Sequence, residues 1–169
     1  PAEHHRHLSE PELGAFWRSV ERQGAHFVTI ASTKLLMYSM CRKSEVLRAR
    51  WREFDLEKGQ WDLPAERMKM NAAHVVPLSR QSVGLLRELR ALGGDGRYVL
   101  PGRNPDKPIS NNTLLFALYR LGFKGKMTGH GFRAVASTAL NETGWHADVI
   151  ERQLAHVERN KVRGAYNRA

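Results

Sequence analysis

The chain has 169 residues, 41% of them apolar, enough for one domain with its own core. Its 27 Lys and Arg against 17 Asp and Glu leave a net charge of +10 and a pI of about 10.3, so the expected partner is a polyanion, nucleic acid first and an anionic membrane second. No segment approaches the ~18 consecutive apolar residues of a membrane span, the opening "PAEHHRHLSEPEL" is too polar for a signal peptide, and the single Cys41 rules out an internal disulfide and suggests a reducing compartment.

The chain opens on Pro1 rather than Met and is expected to be a fragment of a longer protein. "LSEPELGAFWRSVERQ" predicts the first helix. Ser9 and Glu12 have capping-box spacing, Pro11 falls in the first turn, and Leu13, Phe16, Trp17 and Val20 share a face. "AHFVTIASTKLLMYSM" is apolar nearly all round, which predicts a buried central helix. "RKSEVLRAR" reads as a short helix. The period then changes: "WREFDLEKGQWDLPA" alternates across Lys58-Gly59 as a hairpin, and "AHVVPLS" follows as a third strand after "ERMKMNA".

Ser79 is placed to cap a helix running to about Leu92, with Gly93-Gly94 as its stop. "RYVLPGRNPDKPI" reads as a strand end and loop, and Ser110 caps the helix "NNTLLFALYRLGF". "MTGHGFRAVASTALNETG" reads as a helix with glycines at both ends, and "HADVIERQLAH" and "RNKVRGAYNRA" complete the helices. The expected fold is one compact, mainly α domain (α+β) with a small three-stranded antiparallel sheet near its middle.

Four segments carry residues suited to chemistry. In "GHGFRAVAST", His130 and Arg133 are three apart and face the same way on a helix. Gly129 and Gly131 leave room there for an anion at the helix N-terminus. The ordinary reading is a capping histidine and a solvated arginine. In "SMCRKSEVLRARW", Arg42 precedes Glu45 by three; this is either a surface ion pair worth about 0.2–0.5 kcal/mol or a carboxylate holding a guanidinium for phosphate binding. In "AERMKMNAAHVVPLS", Lys69 lies in the turn between two strands. A turn lysine is commonly a solubility residue, but Met68 and Met70 flank this one and offer its stem apolar surface. His74 in the following strand reads as structural, and Cys41 as a small buried residue, with a redox handle as the alternative.

The last segment, "LAHVERNKVRGAYNR", ends one helix on His156 and presents Tyr166 ten residues later among positive charges. A phenol with a pKa near 10 is a poor nucleophile unless a base or nearby cations assist it. Two arginines, a lysine, two histidines and a tyrosine together suit metal-free attack on a phosphodiester. Arg42 and Arg133 would neutralise the oxygens, and Lys69 would protonate the departing one.

These four segments, in this order and spacing, resemble the boxes of the tyrosine recombinases, or phage integrases, and most closely the integrases of prophages and genomic islands. "CRKSEVLRARW" matches the first arginine box, "ERMKMNAAHVVPLS" the hairpin lysine box, "GHGFRAVAST" the His-x-x-Arg box and "LAHVERNKVRGAYNR" the His-to-Tyr box. The resemblance covers nearly the whole chain and implies that residues 1–169 form the catalytic domain, in the compact helical fold of that family. Family members usually carry a separate core-binding domain, and island integrases often an arm-binding one; neither is in this chain.

By resemblance, Tyr166 is the nucleophile that forms a 3′-phosphotyrosyl link and frees a 5′-hydroxyl. Arg42 and Arg133 clamp the scissile phosphate and Lys69 is the general acid. His130 is a candidate base, His156 hydrogen-bonds the phosphate, and Glu45 supports the site. No cofactor or metal is implied. The implied partner is double-stranded attachment-site DNA, with a tetramer on DNA in the full-length protein and accessory DNA-bending proteins; the implied location is the bacterial cytoplasm, at the nucleoid, with no membrane role.

Three other classes compete. A non-catalytic DNA-binding module would keep the basic face without the filled set of positions. A type IB topoisomerase shares the nucleophile and cations, but the prophage-like boxes argue against it. A metal-dependent nuclease would need its histidines gathered. His4, His5 and His7 are clustered in a polar stretch expected to be disordered, and the sequence offers no carboxylate cluster suited to Mg²⁺.

Overall fold

The computed structural model describes residues 8–22, 27–69, 71–93, 96–128 and 131–155. Its first helix, α1 (Glu10–Arg22), starts as its spacing demands: Glu12 Oε2 accepts from the Ser9 N–H at 2.9 Å and from the Ser9 hydroxyl at 2.8 Å. Phe16 and Val20 on its inner face are fully buried. The centre of the domain is α2 (Phe27–Ser39), which packs against α1 and against four later helices. Polar residues are tolerated in this buried helix because their hydroxyls bond back to its own carbonyls. Ser32 donates to Thr29 O at 2.7 Å and Ser39 to Leu35 O at 2.7 Å.

A five-residue helix, α3 (Lys43–Leu47), leads to the sheet. The sheet is antiparallel with order β1-β2-β3, from β1 (Phe54–Asp55), β2 (Gln60–Leu63) and β3 (His74–Pro77). Phe54 pairs with Trp61, and their rings stack at 4.8 Å. Gly59 makes the hairpin turn at φ +63°, a region open to glycine at little steric cost. One expectation is corrected here. Trp51–Glu53 is a 3₁₀ turn rather than the start of a strand, because the Glu53 carboxylate turns back to accept the Arg50 N–H at 3.2 Å.

Helix α4 (Arg80–Gly93) is capped by Ser79, whose hydroxyl accepts from Ser82 N–H at 3.1 Å. It buries Leu85, Leu86 and Leu89. Helix α5 (Asn111–Arg120) is capped by Ser110, which accepts from Thr113 N–H at 3.2 Å; it stops short of Gly122 and Phe123. Phe123 instead packs edge-on against Phe16, with ring centroids 4.9 Å apart. Helix α6 (Gly131–Glu142) ends at Gly144, which takes φ +80°. Helix α7 (Ala147–Gln153) begins at His146, whose ring nitrogen accepts from Asp148 N–H at 3.3 Å. The final expected helix, "RNKVRGAYNRA", and the histidines at 4, 5 and 7 lie outside the described residues. No helix among the described residues is long and apolar enough to cross a membrane.

Candidate active site

The ends of α2 and α7 meet the starts of α3 and α6, and this meeting point gathers the charged groups. Arg42 immediately precedes α3. Its backbone N–H donates to Glu45 Oε2 at 2.7 Å and its Nη1 to Glu45 Oε1 at 3.0 Å. Both carboxylate oxygens are thereby tied to one arginine, and Glu45 itself is buried, at 4% exposure. The sequence spacing of three makes this contact local, whereas the burial makes it stronger than a surface pair.

Arg133, the third residue of α6, is equally buried, at 5%. Its neighbour Phe132 fills the core against Phe16, which fixes the helix start. The Arg133 guanidinium spans two chain segments. Nη1 donates to the Met40 carbonyl at 2.6 Å and Nη2 to the Leu154 carbonyl at 2.5 Å. Met40 holds a left-handed backbone, φ 56°, unusual for a residue with a side chain and worth about 1–3 kcal/mol of strain. Gln153 adds a parallel tie, its Nε2 donating to the Ser39 carbonyl at 2.9 Å.

The electrostatics of this group favour an anion. Burial pushes the Arg133 pKa down, the Arg42 charge pushes it further down, and Glu45 opposes both. An arginine stays protonated regardless, so the shift measures how poorly its charge is solvated. Glu45 is bonded to Arg42 and acts on Arg133 through its charge, as Glu151 also does, and an entering phosphate would relieve both the desolvation of Arg133 and its repulsion by Arg42. An arginine presents five N–H donors, so one guanidinium can hold two carbonyls and a phosphate together.

His74, read from sequence as structural, lies at the edge of this group. Burial lowers its pKa, the Gln153 backbone and Glu45 oppose that, and Arg133 and Arg42 reinforce it. Its Nε2 is buried with no hydrogen-bond partner among the described residues. Cys41 is 2% exposed and its thiol is pushed up to about 12, first by burial and then by Glu45, which fits the small buried residue rather than the redox handle.

Lys69 is exposed on the turn between β2 and β3, next to Met68, which is buried in the core. The structure therefore brings Arg42, Glu45 and Arg133 together and leaves Lys69 on the neighbouring turn. His130, His156 and Tyr166 lie outside the described residues, although the described chain ends at Ala155, one residue beyond the Leu154 carbonyl held by Arg133. Among the described residues, no group of three or more His, Cys, Asp or Glu side chains is arranged to hold a metal ion.

Two residues, the buried Glu53 and the part-buried Arg67, escaped the sequence reading. Glu53 accepts from Trp61 Nε1 at 3.1 Å and pairs with Arg67, and Arg67 Nη2 also donates to the Glu45 carbonyl at 2.8 Å. A signal for the first was present: Arg50 and Glu53 repeat the spacing of Arg42 and Glu45, and both carboxylates turn back to the backbone N–H three residues earlier. Nothing local pointed to Arg67.

The phage integrase family model matches residues 6–169. The chain belongs to the phage integrase family. It is 44% identical to prophage integrase IntZ of Escherichia coli (strain K12) over 167 residues, which is 98% of this chain and 41% of that protein. It is 39% identical to the integrase of Enterobacteria phage P4, again over 98% of this chain and 41% of the relative. The chain thus spans about two-fifths of the length of these relatives.

Among solved structures, XerA recombinase superposes with a TM-score of 0.73 at 19% identity, covering 99% of this chain and 65% of that one. XerH site-specific recombinase bound to difH substrate gives 0.74 at 19% identity, covering 95% and 49%. The mainly helical fold with its small antiparallel sheet is therefore the tyrosine-recombinase catalytic fold that the integrase boxes implied.

Proposed function

We propose that residues 1–169 form the catalytic domain of a tyrosine-type site-specific DNA recombinase, cleaving and rejoining DNA strands without a metal. The observation that carries this reading is the buried Arg133 beside the part-buried Arg42, with the buried Glu45 bonded to Arg42 and acting on Arg133 through its charge, in a member of the phage integrase family. Such a site is built to receive a phosphodiester. Its substrate is double-stranded attachment-site DNA, consistent with the net charge of +10.

The chemistry follows from the charges. The Tyr166 oxygen attacks the scissile phosphorus as His130 takes its proton. Arg42 and Arg133 neutralise the charge that develops on the non-bridging oxygens, with His156 donating a further hydrogen bond. The bond to the 5′-oxygen breaks and Lys69 supplies the proton to that oxygen. The product is a 3′-phosphotyrosyl link and a free 5′-hydroxyl. Attack by a different 5′-hydroxyl reverses the step and completes strand exchange, so the link conserves the bond energy and no cofactor is consumed. In the full-length protein, further DNA-binding domains, a tetramer on DNA and accessory bending proteins at the nucleoid would arrange two sites for exchange.

The test is a nicked attachment-site duplex, which traps the intermediate by losing the short 5′-hydroxyl strand. Protein joined to the 3′ side of the break is expected, resistant to chelator and absent in Tyr166→Phe, which still binds DNA. Adduct formed by Tyr166→Phe would remove the nucleophile assignment, and cleavage abolished by chelator would favour a metal-dependent nuclease.

A further inference from the structure

The turn that carries Lys69 is exposed, yet a general acid has to be held close to its leaving group. The chain meets this need two residues earlier. Arg67 ends the 3₁₀ turn Ala65–Arg67, with its side chain 10% exposed. Its two terminal nitrogens go to different elements. Nη1 pairs with Glu53, and Nη2 donates to the Glu45 carbonyl at 2.8 Å, 22 residues away in sequence. Glu53 is anchored in turn by Trp61 of β2 and by the Arg50 N–H.

Arg67 thus fastens the Lys69 turn to the backbone of α3, the helix that carries Glu45 and is capped by Arg42. Backbone hydrogen bonds brace the chain on both sides of Lys69: Arg67 N–H donates to Pro64 O, Met68 N–H to Ala65 O and Asn71 N–H to Met68 O, each at 3.0 Å. Met68, between Arg67 and Lys69, is buried at 8% exposure. A displacement of Arg67 is therefore passed on to Lys69 rather than absorbed by slack chain.

We propose that Arg67 is a positioning residue for strand cleavage, setting the distance between the Lys69 ammonium and the phosphate held by the arginine pair. This rests on Lys69 belonging to the site, as proposed above, but not on its being the proton donor. The bidentate geometry is the functional feature. A lysine at 67 keeps the charge opposite Glu53 but has one ammonium and cannot span to the Glu45 carbonyl as well.

The experiment is a double-mutant cycle on the adduct assay, with folding followed by thermal melting. Arg67→Lys should melt close to the parent and cleave about 10- to 100-fold more slowly, as expected for a misplaced catalytic group. In the Lys69→Ala background, Arg67→Lys should cause no further loss, since the group it positions is gone. An equal fold-loss in both backgrounds would overturn the proposal, as would unimpaired cleavage by a well-folded Arg67→Lys. If Arg67→Lys does not fold, the pair Arg67→Gln with Glu53→Gln removes both charges together, leaves no buried charge alone and is put through the same cycle. The role of Lys69 is read separately. A substrate with sulfur at the bridging 5′ position leaves as a thiolate and needs no proton, so Lys69→Ala should regain most of its rate there. Failure of that rescue would remove the general-acid role of Lys69, while the coupling between positions 67 and 69 would still decide whether Arg67 positions it.

Discussion

Arg133 Nη2 donates to the Leu154 carbonyl at 2.5 Å, binding the start of α6 to the end of α7 across 21 residues of chain. With Nη1 on the Met40 carbonyl at 2.6 Å, one guanidinium joins three segments: the end of α2, the start of α6 and the end of α7. The same side chain is proposed to grip the scissile phosphate. Its rigidity is the point. A phosphate clamp works best when its donors are already aimed and little reorganisation remains for the reaction.

Arg133→Lys is accordingly expected to do more harm than loss of one hydrogen bond. Lysine cannot hold two carbonyls on a planar fork while facing a phosphate. Adduct formation on the nicked duplex should fall by about 10²–10³-fold, with DNA binding in filter or gel assays little changed. Near-parental cleavage would show that Arg133 acts only as a distant charge.

Glu45→Gln should destabilise the domain and leave it responsive to anions. The substitution keeps the shape but removes the carboxylate that is bonded to Arg42 and offsets the charge of Arg133, leaving the poorly solvated Arg133 with more of the repulsion from Arg42. Unfolding in denaturant should show a loss of about 1–3 kcal/mol. Added phosphate should raise the melting temperature of the variant more than that of the parent, because it replaces the missing negative charge. An equal response of the two proteins would mean that Glu45 does not balance the arginine pair.

Cys41 should be silent to thiol reagents in the native protein. It is 2% exposed, and a pKa of about 12 leaves only about one thiol in ten thousand ionised at pH 8. Ellman's reagent should give no colour until denaturant is added, and then one thiol per chain, matching the single cysteine of the sequence. Rapid native labelling would contradict the burial and restore the redox reading.

These expectations differ in how far the sequence reveals them, and the difference is physical. The Arg42–Glu45 contact is legible because Arg42 caps the short helix that holds Glu45 three residues on, where spacing fixes proximity. The same is true of Ser9 with Glu12 and of the hairpin turning at Gly59. Arg133 could be nominated from its box, but its anchors are backbone carbonyls at positions 40 and 154, and a carbonyl carries no sequence signature. Arg67 is hidden for the same reason, since one of its partners is the Glu45 carbonyl. The Trp51–Glu53 turn misled because W-R-E-F alternates like a strand, while the side chain of Glu53 closes a turn.

His74 gives the site a pH dependence whose sign can be worked out. Its pKa in the folded chain lies below the ordinary 6.5, through burial first and the Arg133 and Arg42 charges in addition. A depressed histidine binds a proton more readily unfolded than folded, so acidification favours the unfolded state. Its destabilising effect is absent well above pH 6.5. It grows as pH falls through that unfolded value and levels off below the folded one. The carboxylates titrate lower still, so between about pH 7.5 and 5.5 the histidines dominate. Melting temperature should decline across this window, and the decline should be shallower in His74→Gln, which has no proton to bind. Glutamine also offers a polar group in place of the buried Nε2, so the variant should lose little stability at pH 7.5. If the parent and His74→Gln decline in parallel, His74 is already solvated enough to titrate normally, and its neighbours at Arg42, Arg133 and Glu45 do not govern its charge.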